Sequence, residues 1–323
     1  MPSLEISAVP LPVASRKLNP QAGLRVFHLV GARCLVGWVE GQQSYRAGVL
    51  DVADGSLQAT APLVGDLTGH LADEQLLWLL TNYGLQEVDR ESFSVRRTLR
   101  AGLPKYATRL LRIDHDHALV VVKYGQSHAL VNLRTMSIAR RIRIPEPDIA
   151  LPTDDGAMLL SFRYGVRRRL TADLRAIAGG DVIPRGTGPS LDRDRAVFVT
   201  AVPKPSAAVV RDVGLDPHRY VDLEATGTVG WLGPCGPAVL AAGSAEIGWI
   251  HGQTANGDIV ASDGNRAGGI GRLVILRPDG QTQRAFHEFP LSAGMVAVLS
   301  DSAAVASPRY FGDARSNFEL LRW

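Results

Sequence analysis

Cysteine is almost missing from this chain: Cys34 and Cys235 stand far apart among 323 residues. That excludes a disulfide-stapled scaffold, and their apolar or Gly/Pro flanks fit two reduced, buried thiols. Lysine is as scarce, at positions 17, 105, 123 and 204 only, so nearly all the positive charge is arginine. With abundant alanine, that bias points to a GC-rich bacterial genome. No block of one sign accompanies the formal net charge of +3, which excludes a nucleic-acid tail and a polybasic membrane anchor. No apolar run approaches the ~18 residues of a spanning helix, and MPSLEISAVPLPVASRK lacks the basic and apolar regions of a signal peptide. We expect a cytoplasmic protein with no membrane and no nucleic-acid partner. HExxH, paired CxxC, GxSxG, GxGxxG and P-loop motifs are all absent, so no metal and no cofactor is expected.

The composition is otherwise that of a globular protein, 46% apolar and 21% charged. Thirty-three glycines and 19 prolines spread along the chain mark many turns. Between them, β-branched and aromatic residues collect in short runs, the pattern of an all-β fold.

Those runs repeat. CLVGWVEG (34–41), LLWLLTNYG (76–84), ALVVVKYG (118–125), AMLLSFRYG (157–165), AVFVTAVPKP (196–205), EIGWIHG (246–252) and AVASPRYFG (304–312) align as seven units. The first five lie about 40 residues apart, a period that marks a repeat architecture. Upstream of each stands a short apolar segment and a polar turn such as DEQ, DHDH or DDG. Downstream, most units show a third strand (GVLDVADG, LQEVDRES, ALVNLRTM) and several a fourth (SVRRTLR, IARRIRI). Four antiparallel strands per unit predict a seven-bladed β-propeller over residues 1–323, a single domain. The seventh unit stops at its third strand, FELLRW, so LEISAVP at residues 4–10 is expected to supply the fourth and close the last blade.

At fold level the chain thus resembles the seven-bladed propellers, and its Tyr-Gly hairpins with an hxxhD pattern are similar to quinoprotein-like, YVTN-type repeats. WD40 Trp-Asp endings and kelch double glycines are missing. The repeats also lack a tryptophan signature, so the resemblance implies no quinone cofactor.

Propeller topology places second hairpins on one face and first hairpins on the other. Tyr83, Lys123, Tyr124, Arg163, Tyr164, His251, Arg309 and Tyr310 then share a basic, aromatic face, with Arg46, His128, Arg167, Arg168 and Lys204 nearby. Asp73, Glu74, Asp114, Asp116, Asp154, Asp155, Asp192, Asp194 and Asp301 fall on the opposite face. Asp is a turn residue in its own right, and Tyr-Gly can be turn chemistry. Arginine and lysine are not favoured in turns, so their concentration among tyrosines suggests a site for an anionic or aromatic small molecule.

Six residues before the aligned runs stand His28, His70 and Arg112, the same register in three successive units. Two imidazoles beside a guanidinium are candidates for acid, base and anion stabiliser. Alternatively each satisfies a buried backbone group. Two Gly-rich stretches, 225–237 and 251–272, read as insertions, the second as a lid over the basic mouth or a tolerated loop. Two functions remain open: a small-molecule-binding propeller, as a lyase, isomerase or cyclase, or a protein-interaction scaffold using the same rim.

Overall fold

A computed structural model describes residues 4–5, 7–10, 25–40, 44–125, 127–177, 186–192, 195–200, 229–232, 240–241, 247–263, 270–276, 282–283, 285–286, 288–290, 295–307 and 319–323. The elements among these residues are β-strands. β1 (Leu4–Glu5) and β2 (Ser7–Pro10) come first. Three meanders follow, each hydrogen-bonded in chain order: β3 to β6 (Arg25–Val30, Arg33–Glu40, Ser44–Asp51, Leu57–Pro62), β7 to β10 (Leu67–Ala72, Leu76–Thr81, Gly84–Asp89, Val95–Leu99) and β11 to β14 (Ala107–Arg112, His117–Val122, Ser127–Asn132, Ser137–Arg143).

β15 to β18 (Ile149–Thr153, Gly156–Ser161, Val166–Thr171, Ala176–Ile177) repeat the plan, as do β19 to β22 (Gly186–Asp192, Arg195–Thr200, Val229–Leu232, Leu240–Ala241). So do β23 to β26 (Ile247–Gln253, Ile259–Asp263, Ile270–Leu276, Thr282–Gln283). β27 (Ala285–Phe286) pairs with β1 in parallel, and β28 (Glu288–Pro290) follows it. Last come β29 (Met295–Ser300), β30 (Ala303–Ser307) and β31 (Glu319–Arg322). Their sheet is completed by β2, antiparallel to β31 from Ser7 opposite Arg322 to Pro10 opposite Glu319. The expected partnership of LEISAVP with FELLRW is therefore present at Ser7–Pro10.

The chain divides into two compact units, residues 7–141 with 289–322, and residues 142–288 with the termini 1–6 and 323. In the first unit, strand pleating explains how neighbouring sheets share cores, because alternate side chains point to opposite faces. On β4, Cys34, Val36 and Trp38 pack with Ala297, Val305 and Leu320 of the β29–β31 sheet, while Leu35 packs with Leu77, Leu79, Val88 and Phe93 of the next sheet. On β8 the same alternation sends Leu77 and Leu79 one way and Trp78 and Leu80 the other, onto Ala107, Leu110, Ala118 and Val120. A strand covered on both faces reads as a continuous apolar run. Hence LLWLLT and HALVVV are buried almost throughout, whereas the outer β10 and β14, VRRTL and SIARRIR, are largely exposed. The first strands stand side by side in the same unit: β29 lies against β3, β3 against β7 and β7 against β11.

Two readings of the sequence are corrected in the other unit. Residues 225–237 contain β21, the third strand of its sheet, with Trp231 opposite Val197. The described part of residues 251–272 is largely strand: β23 and β24 form a hairpin around the turn 254–258, and β24 pairs with β25. EIGWIHG is the first strand of that sheet, not the second. The apolar run GWIHG and the following glycines mimic a second strand with a long loop, and only the ladder distinguishes them. No lid is built from 251–263 or 270–272; residues 264–269 lie outside the described residues.

Candidate functional site

His28, His70 and Arg112 fall on the adjacent strands β3, β7 and β11, all in the first unit. Their registers differ. His28 pairs with Cys34 and Arg112 with Ala118, the first residue of each aligned run, but His70 pairs with Leu79 rather than Leu76. His70 consequently sits deeper from its hairpin than equal spacing implies.

Each of the three is engaged with backbone. The exposed His28 ring bonds through Nε2 to the carbonyl of Gly31 at 3.2 Å. His70 donates to the backbone carbonyl of His28, and its ring lies 5.0 Å from that of Phe27. Desolvation pushes the His70 pKa down to about 4; the bond to His28 opposes this shift, and the charge of the neighbouring His28 ring adds to it. Arg112 donates to the carbonyl of Ala72 on the preceding sheet at 3.4 Å and to His115 at 3.3 Å, and its guanidinium lies 5.4 Å from the Trp78 ring. Burial lowers the Arg112 pKa, against the charges of Asp73 and Asp114. His70 and Arg112 thus do the same thing one sheet apart: each reaches back to a carbonyl on the first strand of the sheet before it.

The aromatic residues occupy turns. Tyr83 sits in the two-residue turn between β8 and β9, Tyr124 between β12 and β13, and Tyr164 between β16 and β17. They are 51%, 59% and 37% exposed. Each of the last two lies under its own neighbour's charge: Lys123 Nζ is 5.0 Å from the Tyr124 ring, and the Arg163 guanidinium 5.7 Å from the Tyr164 ring. These are cation–π distances.

Tyr106 belongs with them and escaped the repeat alignment, because it lies in the link before β11 rather than at a hairpin. It is 66% exposed, and its backbone N–H donates to Asn82, the residue before Tyr83, at 3.1 Å. A signal was present: a basic residue precedes Tyr106, Tyr124, Tyr164, Tyr220 and Tyr310.

His251 is on the first strand β23, not at a turn, and desolvation pushes its pKa down to about 4. His251 is half-buried, whereas His128 is fully buried, its Nδ1 accepting the Val122 N–H at 3.2 Å, so His128 is not presented to solvent as a rim residue would be. Arg309, Tyr310, Lys204 and Cys235 lie outside the described residues. Cys34 is buried as expected, its thiol pushed up to about 12 by desolvation.

Turn chemistry accounts for acidic residues at the first hairpins. Asp73 accepts the backbone N–H groups of Gln75 and Leu76, and Asp114 those of Asp116 and His117. Asp114 also holds His117 Nδ1 at 3.0 Å, with Asn132 on the other side of that ring. Among the described residues no group of three or more His, Cys, Asp or Glu is arranged to hold a metal ion, and no helix is long and apolar enough to cross a membrane.

No family model matches the chain, and no curated protein matches it in sequence. Solved structures do. The WD40 domain of Neurospora crassa Pan2 superposes with a TM-score of 0.65 at 11% identity, covering 100% of this chain and 96% of that one. A catalytically inactive virginiamycin B lyase from Staphylococcus aureus with quinupristin gives 0.61 at 10% identity, covering 99% of each. U3-55K gives 0.57 at 11%, covering 93% of this chain and 98% of that one. The fold is of the WD40 and propeller type.

Proposed function

We propose that this protein is a propeller-type interaction module, and that the tyrosine-bearing turns of residues 81–84, 104–106 and 122–125 receive a protein partner. The observation that carries this reading is the exposure of Tyr83, Tyr106 and Tyr124 together in one unit. Tyrosine offers large, rigid contact area at low entropic cost, and exposed aromatic clusters characterise binding surfaces. The reading extends to the whole chain as one domain of seven blades, with β2 closing the last one on β31. Six of the aligned runs fall on second strands, and this and neighbours that span the full chain support it.

The test is selection from a displayed random-peptide library on the parent and on a Tyr83→Ala/Tyr106→Ala/Tyr124→Ala variant of equal melting temperature. Binders lost with the tyrosines support the module. Identical selections from both proteins overturn it.

A second reading keeps a small molecule, anionic or aromatic, with His28, His70 and Arg112 as its chemistry. The electrostatic coupling of the exposed His28 to His70 favours it. A thermal-shift screen of anionic and aromatic metabolites tests it: stabilisation that disappears in His28→Ala supports a ligand there, and a flat screen removes it.

A further inference from the structure

The backbone distinguishes two kinds of turn with a bulky residue at positive φ. Phe93, Tyr106, Tyr124 and Met136 all have positive φ, between 51° and 60°. For bulky residues this left-handed conformation is strained relative to glycine, by about 1–2 kcal/mol. At Phe93 and Met136 the compensation is internal, since those side chains are 1% and 8% exposed and join the cores between sheets. Tyr106 and Tyr124 have the same backbone but put 66% and 59% of their surface into solvent. Burial inside the chain does not compensate them, and strain of this kind concentrates where a protein makes functional contacts.

The two strained tyrosines are not isolated. Ala107 pairs with Val122, so the link that carries Tyr106 ends beside the turn of Lys123 and Tyr124, and Lys123 lies over the Tyr124 ring. On the other side, the Tyr106 N–H holds the turn of Tyr83, and Tyr45, whose pKa is raised first by burial, is near enough to Asp66 and Tyr83 for their charges to raise it further. The turns of Tyr83, Tyr106 and Tyr124 thus adjoin one another as a strip that includes Lys105 and Lys123.

The three turns carry charge of one sign. Residues 81–84, 99–107 and 122–125 contain no acidic residue and carry Arg100, Lys105 and Lys123, all exposed. Asp66, whose charge reaches Tyr45, is partly buried and faces the charge of Arg25. Two of the four lysines of the chain lie here, each directly before a strained tyrosine.

We propose, resting on the protein-binding reading above, that this strip binds an acidic peptide segment, its carboxylates meeting Arg100, Lys105 and Lys123 and its apolar groups lying on Tyr83, Tyr106 and Tyr124. Charge-assisted hydrogen bonds and aromatic contact area then act together, and the charges set orientation and association rate.

Fluorescence anisotropy of the intact protein provides the test, with three labelled peptides of equal length and leucine content, rich in Glu, in Lys or in Ser, and a single-stranded oligonucleotide of the same charge as the Glu peptide. The Glu peptide is expected to bind more tightly than the others and to weaken between 50 and 500 mM salt. Tyr106→Gly/Tyr124→Gly relieves the backbone strain and removes the side chains, so it should keep the melting temperature and weaken the Glu peptide about tenfold or more. Lys105→Gln/Lys123→Gln should weaken that peptide and not the Ser peptide. Tighter, tyrosine-dependent binding of the Ser or Lys peptide overturns the acidic assignment and leaves the module standing. Tighter binding of the oligonucleotide overturns it in favour of nucleic acid. No tyrosine-dependent binding of any peptide overturns the assignment together with the reading on which it rests.

Discussion

The imidazole of His70 donates to the backbone carbonyl of His28, on the neighbouring first strand. This bond ties two sheets together, and burial keeps the ring neutral. The folded pKa of His70 is lowered from 6.5 to about 4, so between those values the unfolded chain binds the proton that the folded chain refuses. The stabilisation is fully present above about pH 6.5 and is lost as the pH falls toward 4. The full span corresponds to roughly 3 kcal/mol. Urea unfolding between pH 4.5 and 7 should show stability rising with pH, and His70→Gln should flatten that slope. Equal slopes in both proteins would exclude His70 as the sensor.

Phe93 and Tyr106 share a backbone conformation and differ in burial, so glycine should act oppositely at the two positions. Phe93→Gly removes a core side chain and should cost about 3–5 kcal/mol. Tyr106→Gly relieves strain while adding entropy to the unfolded chain, and should stay within about 1 kcal/mol of the parent. Thermal melts of the two variants read the contrast directly.

The Glu87 carboxylate is buried and takes both the Nε and an Nη of Arg97, which also donates to the carbonyl of Arg134 on the next sheet at 2.9 Å. Glu87→Ala leaves that guanidinium without its carboxylate. Because Arg97 is 42% exposed, water compensates in part, and the loss should be about 2 kcal/mol rather than that of a fully buried pair. Denaturant unfolding at neutral pH checks it; a change below about 0.5 kcal/mol would mean that water replaces the pair completely.

Deleting residues 1–10 removes β2 and bares β31, whose Leu320 and Leu321 are buried. The expected outcome is a loss of several kcal/mol, on the scale of two or three aliphatic side chains. Concentration-dependent association through the new edge should accompany it. An unchanged melting temperature without association would show that β2 contributes no stability.

Sheet strands were legible wherever the run was continuous and the turn short, as in LLWLLTNYG and HALVVVKYG, because burial on both faces writes itself directly into composition. Registers were less legible. Equal spacing put His28, His70 and Arg112 in one register, but a bulge at His28–Val30 and turns of unequal length offset the ladders, and nothing in the residue types announces them. At EIGWIHG the pattern itself misled, since a first strand buried against a neighbour has the same composition as a second. Tyr106 was missed because its importance lies in φ and exposure, which spacing does not carry.

β2 and β31 are far apart in the sequence, so their sheet cannot be completed until β31 has been synthesised. The nascent chain leaves the ribosome with β2 already made and its partner still unmade, a contact of very high order. During that interval the early sheets can form locally from their hairpins, while the segment LEISAVP must remain extended, unpaired and apolar. Chaperone dependence and misassembly during rapid expression should therefore originate at the N-terminal strand rather than in the central sheets.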